Sequence, residues 1–215
     1  MRFWSFWNGH VRPWLDRLPP HIHMAPELAW LTNKWEAKFP GVLPIGHLVR
    51  DDERWVRFHS LPESKRYAEN ESEYEELLRR HHEVLTTLSA PHTDLIAITA
   101  SWSPTKYARS RSRALQRAAP RAELWQSVVV DPDDEDAWFT NLFVSRVENS
   151  PASLNPLLRL VADFGTSDVL LTTPELTWLY HPYDGGADVI ASSVERRDLI
   201  RQEFADWLPS NSSGL

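Results

Sequence analysis

The chain has 215 residues, 42% of them hydrophobic and 11 of them tryptophan, which is enough to bury one sizeable core. Its formal net charge of −7 argues against a nucleic-acid binder and against a protein that binds anionic membranes, because both need a basic surface. The absence of cysteine excludes disulfides and thiolate metal ligands and is typical of a reducing compartment, so we expect a cytoplasmic protein.

The first 20 residues are rich in aromatic side chains but have no steady period. We interpret 1–20 as an irregular arm that either lies on an apolar surface or mediates self-association. This segment is a poor match to a secretory signal, and no stretch approaches the roughly 18 apolar residues that a membrane-spanning helix needs. Residues 21–208 should then form a single domain, and 209–215 a flexible tail.

A first helix is predicted to begin at Pro26 and to stop at Pro40, because proline suits the first helical turn and not the interior. The apolar residues at helical spacing are Leu28, Leu31, Trp35 and Phe39. Two short apolar runs follow, 43–49 and 54–59, separated by acidic residues. They predict a hairpin of two neighbouring strands.

In the second of these strands, Val56 and Phe58 should face one side and Trp55, Arg57 and His59 the other. Asn70 and Glu73 then form a plausible capping box for a second helix that ends near Pro91. One face of that helix is marked by Tyr74, Leu77, Leu78, His81, Leu85 and Leu88.

Residues 94–102 predict a buried strand, and 124–130 and 137–147 predict two strands joined by the acidic loop 131–136. A short helix is expected to open at Asn155-Pro156 and to close at Gly165. Three further strands are predicted at 168–172, 176–183 and 187–191.

Ser193 should cap a final helix with an apolar face. That face comprises Ile200, Phe204, Trp207 and Leu208. Strands mixed irregularly with helices predict an α+β fold, a single domain with a largely antiparallel mixed sheet and four to five helices.

Two dense polar stretches each begin where a predicted strand ends: residues 59–67 (HSLPESKRY) and residues 181–189 (HPYDGGADV). They resemble two hallmark stretches of a family of uncharacterised bacterial proteins, and the similarity extends from about the first helix to the end of the chain. That family has no assigned activity, cofactor or catalytic residue, so the resemblance implies membership and no mechanism.

The first stretch combines cationic side chains with hydroxyls, which suits a phosphate or carboxylate. Its candidate ligand-binding residues are Arg57, His59, Ser64, Lys65, Arg66 and Tyr67. The alternative is purely structural. In that case Lys65 and Arg66 pair with glutamates at 63, 69 and 71, and ion pairs of this kind often imitate sites.

The second stretch predicts a hairpin with two possible registers. If Asp184-Gly185 forms a two-residue type I′ turn, His181 lies opposite Asp188; if the turn is Gly185-Gly186, Tyr183 faces Asp188 instead. Either arrangement could be an acid–base pair or could only pin the hairpin. Tyr183 and Asp184 join the ligand-binding candidates, and the catalytic candidates are His59, His181 and Asp188.

Other polar features favour structural interpretations. Arg109, Arg113 and Arg117 would form a stripe on a helix, but a solvated helix is the simpler explanation. The acidic loop 131–136 lacks calcium-binding spacing, and the histidine pairs at 21 and 23 and at 81 and 82 do not define a coordination sphere. We expect no metal and no cofactor, and His81 should be a hydrogen-bonded core histidine.

Two functions fit these observations. The first is an acidic protein-binding module of the immunity or neutralising type, with a basic protein partner. The alternative is an enzyme or sensor that binds a small anionic ligand through residues 57–67 and 181–188. The sequence lacks His-Glu-x-x-His, P-loop and Gly-x-Ser-x-Gly motifs, which favours binding over catalysis. The ligand hypothesis requires the two stretches to meet at one concave pocket.

Overall fold

The fold is seen in a computed structural model that describes residues 25–50, 52–90, 94–105, 108–130 and 137–209. The expected aromatic arm, the histidines at 21 and 23, the acidic loop 131–136 and residues 210–215 of the expected tail lie outside this description.

The described residues form seven strands and five α-helices. The strands are β1 (Trp55–His59), β2 (Asp94–Ser103), β3 (Glu123–Val129), β4 (Phe139–Glu148), β5 (Leu170–Thr172), β6 (Leu179–Tyr183) and β7 (Gly186–Ile190). The helices are α1 (Ala29–Lys38), α2 (Glu71–Ser89), α3 (Arg113–Ala118), α4 (Pro151–Ala162) and α5 (Val194–Glu203).

All strands belong to one sheet with the order β1-β7-β6-β5-β2-β4-β3, and each neighbouring pair is antiparallel. The predicted α+β class with a largely antiparallel sheet and four to five helices is confirmed. Hydrogen bonds from backbone N–H groups to the Asn70 and Ser193 side chains confirm the two predicted helix caps.

The sheet is buried on both faces, and strand alternation divides its side chains between two cores. In β2, Leu95 and Ala97 enter the first core, whereas Ile96 and Ile98 enter the second. The first core contains buried side chains from α2, α3, α4 and α5, and the second is covered by α1 and the loop after it. Burial on both faces explains why residues 95–98 of β2 are apolar without alternation.

The predicted hairpin of 43–49 with 54–59 is wrong. Residues Gly46–Leu48 form a 3₁₀ turn, and β1 pairs with β7 instead of with the segment before it. Pro44 and Gly46 interrupt the apolar run and disfavour a regular strand. The segment is a loop fastened to α1, since Nε1 of Trp35 donates a hydrogen bond to the Val42 carbonyl at 2.7 Å.

The fourth helix begins earlier than predicted. It starts at Pro151, directly after Ser150, and leaves Pro156 inside the helix. Pro151 is tolerated in the first turn, where a backbone N–H has no intrahelical acceptor to lose.

The end of α4 also differs from the expected glycine stop. The left-handed residue is Phe164, with φ of 57°, while the Gly165 N–H donates to the Leu160 carbonyl at 2.8 Å and so completes a Schellman motif.

The proposed arginine stripe does not form, because α3 covers only Arg113–Ala118 and Arg109 precedes it. Between them, Arg111 is buried and donates to the Thr99 hydroxyl and the Ala119 carbonyl, so it has a structural role. None of the helices in the described part of the chain is long and apolar enough to cross a membrane.

Phe164 offers a test of the helix end. Its side chain is 64% exposed and its backbone lies in the left-handed region, which costs free energy for any residue with a Cβ. We expect Phe164→Gly to exceed Phe164→Ala in free energy of unfolding by about 1 kcal/mol, measured by urea denaturation. Both variants lose the aromatic ring, so equal stability would contradict the assigned strain.

Candidate functional site

Three polar side chains lie side by side on β1, β7 and β6, which are neighbours at one edge of the sheet. Arg57 of β1 is opposite Asp188 of β7, and Asp188 is opposite His181 of β6. We call these three residues the charged row. Directly opposed residues share a face, and this face is the one that carries the second core.

The register predicted for a two-residue Asp184-Gly185 turn is confirmed, because Tyr183 pairs with Gly186 and His181 with Asp188. The turn type is not I′, since neither central residue has a positive φ.

The Asp188 carboxylate is fully buried and accepts hydrogen bonds from three side chains. The donors are Nε of Arg50 at 2.7 Å, Nε of Arg57 at 2.8 Å and Nε1 of Trp55 at 3.0 Å. Burial by itself would raise the pKa of Asp188, but the neighbouring His181 and the two guanidinium groups outweigh burial and hold that pKa below its usual range. Asp188 is therefore ionised, and one carboxylate is shared by two arginines.

His181 is buried beside this carboxylate without a good hydrogen bond to it. Its Nδ1 lies 3.5 Å from Oδ2 of Asp188 and has no hydrogen-bond partner among the described residues. The other side of the ring packs on the backbone of the loop after α1, so closely that a Cβ added to Gly46 would lie 2.2 Å from its Cδ2. His181 therefore contacts both the loop after α1 and Asp188.

Above the charged row, the two polar sequence stretches meet at a cleft of about 380 Å³. Its walls come from the loop before β1, the end of β1, the loop after β1 and the β6–β7 turn. The lining residues are Arg50, Arg57, His59, Ser64, Arg66, Tyr183, Asp184 and Gly185. The structure therefore brings together six of the candidate residues in one concave place.

Tyr183 lies between the cationic groups of the cleft. Its ring centroid is 5.9 Å from the guanidinium carbon of Arg50 and 5.1 Å from that of Arg57. Burial raises the pKa of Tyr183 to about 12, so the phenol keeps its proton at neutral pH and can donate a hydrogen bond. In the same cleft, Nε of Arg66 donates to Oδ2 of Asp184 at 2.6 Å.

The loop after β1 is held in an unusual backbone conformation. Glu63 and Ser64 both have positive φ, 55° and 57°, although neither is glycine. Such residues cost about 1 to 3 kcal/mol each and are concentrated at functional sites. Here the conformation places Ser64 in the wall of the cleft.

Two candidates of the first stretch do not line the cleft. Nζ of Lys65 is 2.7 Å from Glu73 and 3.1 Å from Glu69, so it contributes to the start of α2. Tyr67 packs its ring against Phe164 at 5.3 Å. Lys65 therefore has the structural role of pairing with glutamates, whereas Arg66 lines the cleft.

Arg50 and Trp55 are the residues that sequence reasoning missed. Arg50 follows the segment wrongly predicted as a strand, and its partner Asp188 is 138 residues away. Trp55 was placed on the correct face of β1, but its hydrogen bond to Asp188 depends on the pairing of β1 with β7. No local pattern reveals contacts of this range.

A buried polar cluster of His81, Tyr180 and Ser60 lies on the opposite face of the sheet. His81 Nδ1 is 2.5 Å from the Tyr180 hydroxyl, and its Nε2 is 3.3 Å from Ser60 Oγ. Burial lowers the pKa of His81 to about 3, so the ring is neutral. The adjoining void holds about 10 Å³, which is too small for a substrate. His81 is the hydrogen-bonded core histidine that its position predicts.

The shared carboxylate generates the first test of the site. We expect Asp188→Asn to lower the free energy of unfolding by about 3 to 5 kcal/mol, because the buried guanidinium of Arg57 and the partly buried one of Arg50 lose their counter-charge. Since the pKa of Asp188 is depressed in the fold, the difference from wild type should be full at neutral pH and shrink below about pH 4.

Urea denaturation at several pH values measures this difference. Asp184→Asn is the matched control: its partner Arg66 is 63% exposed, so its cost should be much smaller. Equal costs for the two variants would refute the assignment.

The packing of Gly46 on His181 generates a second test. We expect Gly46→Ala to cost about 1 to 3 kcal/mol, because the new Cβ would collide with a buried ring. In a His181→Ala background the same substitution should cost far less. A double-mutant cycle of unfolding free energies measures the coupling, and additive effects would contradict the contact.

Comparison with known proteins now gives the chain a family but no activity. A family model described as a domain of unknown function, DUF3885, matches residues 45–212. That range includes β1, the charged row and all eight residues that line the cleft. No curated protein and no solved structure matches the chain. The chain belongs to the DUF3885 family of domains of unknown function.

Proposed function

We propose that the cleft binds a small ligand through a phosphate or carboxylate group. The observation that carries this proposal is the sharing of one buried carboxylate, Asp188, by Arg50 and Arg57. Two positive charges against one negative charge leave an uncompensated cation in the wall of the cleft. A bound anion would supply the missing charge.

The guanidinium N–H groups in the cleft support binding of an oxyanion. Arg57 donates hydrogen bonds to Asp188 from Nε and Nη2, and Arg50 donates one to Asp188 from Nε. Within the described part of the chain, the remaining terminal N–H groups of both arginines have no hydrogen-bond partner. Arg66 likewise uses only its Nε, which donates a hydrogen bond to Asp184. Charge-assisted hydrogen bonds from such groups to phosphate or carboxylate are stronger than neutral ones.

The other lining residues supply neutral donors and a proton carrier. The Ser64 hydroxyl and the protonated Tyr183 phenol can donate to ligand oxygens, and His59 stands at the end of β1. No hydrogen bond among the described lining residues joins the Ser64 hydroxyl to the His59 ring. The proposal therefore stops at binding, as in a ligand-binding or sensor protein, and includes no covalent step.

An acidic protein-binding module of the immunity type, with a basic protein partner, is the second candidate. It rests on the formal net charge of −7, which does not locate an interface. The cleft has the opposite sign of charge. We therefore place ligand binding first, which reverses the order expected from the sequence.

A thermal-shift titration with inorganic phosphate tests the proposal. At a phosphate concentration tenfold above Kd, we expect the melting temperature to rise by about 3 to 6 °C. Ionic strength must be held constant with sodium chloride, because salt alone screens surface charge.

Arg50→Ala is the informative variant, because it leaves Asp188 paired with Arg57 alone and removes the surplus charge. It should fold and lose the phosphate-dependent shift. Arg79→Ala is the matched control, since Arg79 is an exposed arginine that pairs with glutamates on α2, away from the cleft. An unchanged shift in Arg50→Ala, or no shift in wild type beyond that of chloride, would overturn the proposal.

A further inference from the structure

We propose that His59 takes up a proton when a doubly charged oxyanion enters the cleft, so that dianions bind more tightly as the pH falls. This inference rests on the proposed anion site and names the charge class that the site selects. It assigns to His59 the role of a specificity-determining residue.

His59 lies in the wall of the cleft. It is the last residue of β1, where the strand alternation that buries Phe58 in the first core turns the His59 ring to the cleft. Its side chain is neither fully buried nor fully exposed. A ligand in the cleft would therefore contact the ring or lie close to it.

Two arginines act on His59 from neighbouring elements. Arg57 lies on the same strand and is paired with Asp188, and Arg80 lies on α2 and is paired with Glu76. Nη1 of Arg80 also donates to the His59 carbonyl at 3.1 Å. Further along the cleft wall are Arg50 and Arg66, with the Tyr183 phenol and with Asp184. The one carboxylate in that wall, Asp184, is already paired with Arg66.

Without a ligand, this environment favours the neutral imidazole. Burial lowers the pKa of His59, and Arg57 and Arg80 lower it further, against the carbonyl of Gly185, which raises it. No carboxylate among the described residues pairs with the ring. Burial and the neighbouring positive charges therefore both oppose the protonated form.

A dianion would reverse that balance. An opposite charge within about 4 to 6 Å of a histidine raises its pKa by favouring the imidazolium. By linkage, the affinity is then greatest below the pKa of the empty state and falls as the pH rises through the pKa of the bound state. A monoanion supplies less charge, so it would shift the proton less and gain less.

Sulfate is the probe that separates this effect from titration of the ligand, because it remains doubly charged over the whole range in which histidine titrates. Isothermal titration of the full chain with sodium sulfate, at constant ionic strength, should show affinity falling about tenfold from pH 5.5 to 7.5. Repeating the titration in buffers of different ionisation enthalpy should show net proton uptake on binding.

His59→Gln removes the titrating group and keeps a polar side chain of similar size. We expect it to bind sulfate with little pH dependence and without proton uptake. His47→Gln is the matched control, because the His47 side chain is 48% exposed and bonded to Asp168, outside the cleft. It should keep the wild-type profile. Circular dichroism would verify that both variants are folded.

Two failures are distinguishable. If sulfate binds, and wild type and His59→Gln show the same pH dependence and proton uptake, the inference about His59 is overturned while the anion site stands. If wild type binds no sulfate at pH 5.5 or 7.5, the anion site and the inference fall together.

Discussion

The structure around the cleft depends on one buried carboxylate. Asp188 accepts hydrogen bonds from the loop after α1 through Arg50 and from β1 through Trp55 and Arg57. Removing a carboxylate from water costs several kcal/mol, and only well-placed partners offset that cost. A slip of β1 by one residue would turn Trp55 and Arg57 toward the apolar first core and leave Arg50 as the one remaining donor to Asp188 among these three. The carboxylate therefore fixes both the register of the edge strand and the position of the loop.

The sharing of Asp188 by two arginines also explains why the cleft is positive in a protein of negative net charge. An apolar replacement of the charged row would hold the strands together at least as well, because buried ion pairs rarely add stability over hydrophobic residues. The surplus guanidinium, like the left-handed backbone at Glu63 and Ser64, is a cost that stability alone does not explain. These costs coincide at one cleft, which is why we locate function there.

The sequence predicts local features well and distant ones poorly. Residues 181–188 alone predict a hairpin with two possible registers, and the structure adopts the one in which a two-residue turn places His181 opposite Asp188. The partner of β1 is not predictable in this way, because hairpin rules favour the neighbouring segment, while the true partner β7 comes from the far end of the chain. Arg50 was missed for the same reason: its role exists only once that pairing has formed.

Three successive rows on one sheet face show how a core becomes a site. The row of Trp55, Ile190 and Leu179 belongs to the second core. The charged row follows two residues along each strand, and the third row is His59, Gly186 and Tyr183. A Cβ at Gly186 would lie 2.1 Å from the Phe58 carbonyl oxygen and 2.9 Å from the Tyr183 hydroxyl.

The middle of that third row must therefore lack a side chain. Glycine lets β1 approach β7 closely and lets the Tyr183 phenol lie over the strand, which leaves the space above the charged row open. With any larger residue, the polar stretches at 59–67 and 181–188 would still be adjacent in the sheet, but they would not enclose the same cleft. Asp188 holds the two arginines that make the cleft positive, and Gly186 leaves the space in which a ligand could bind.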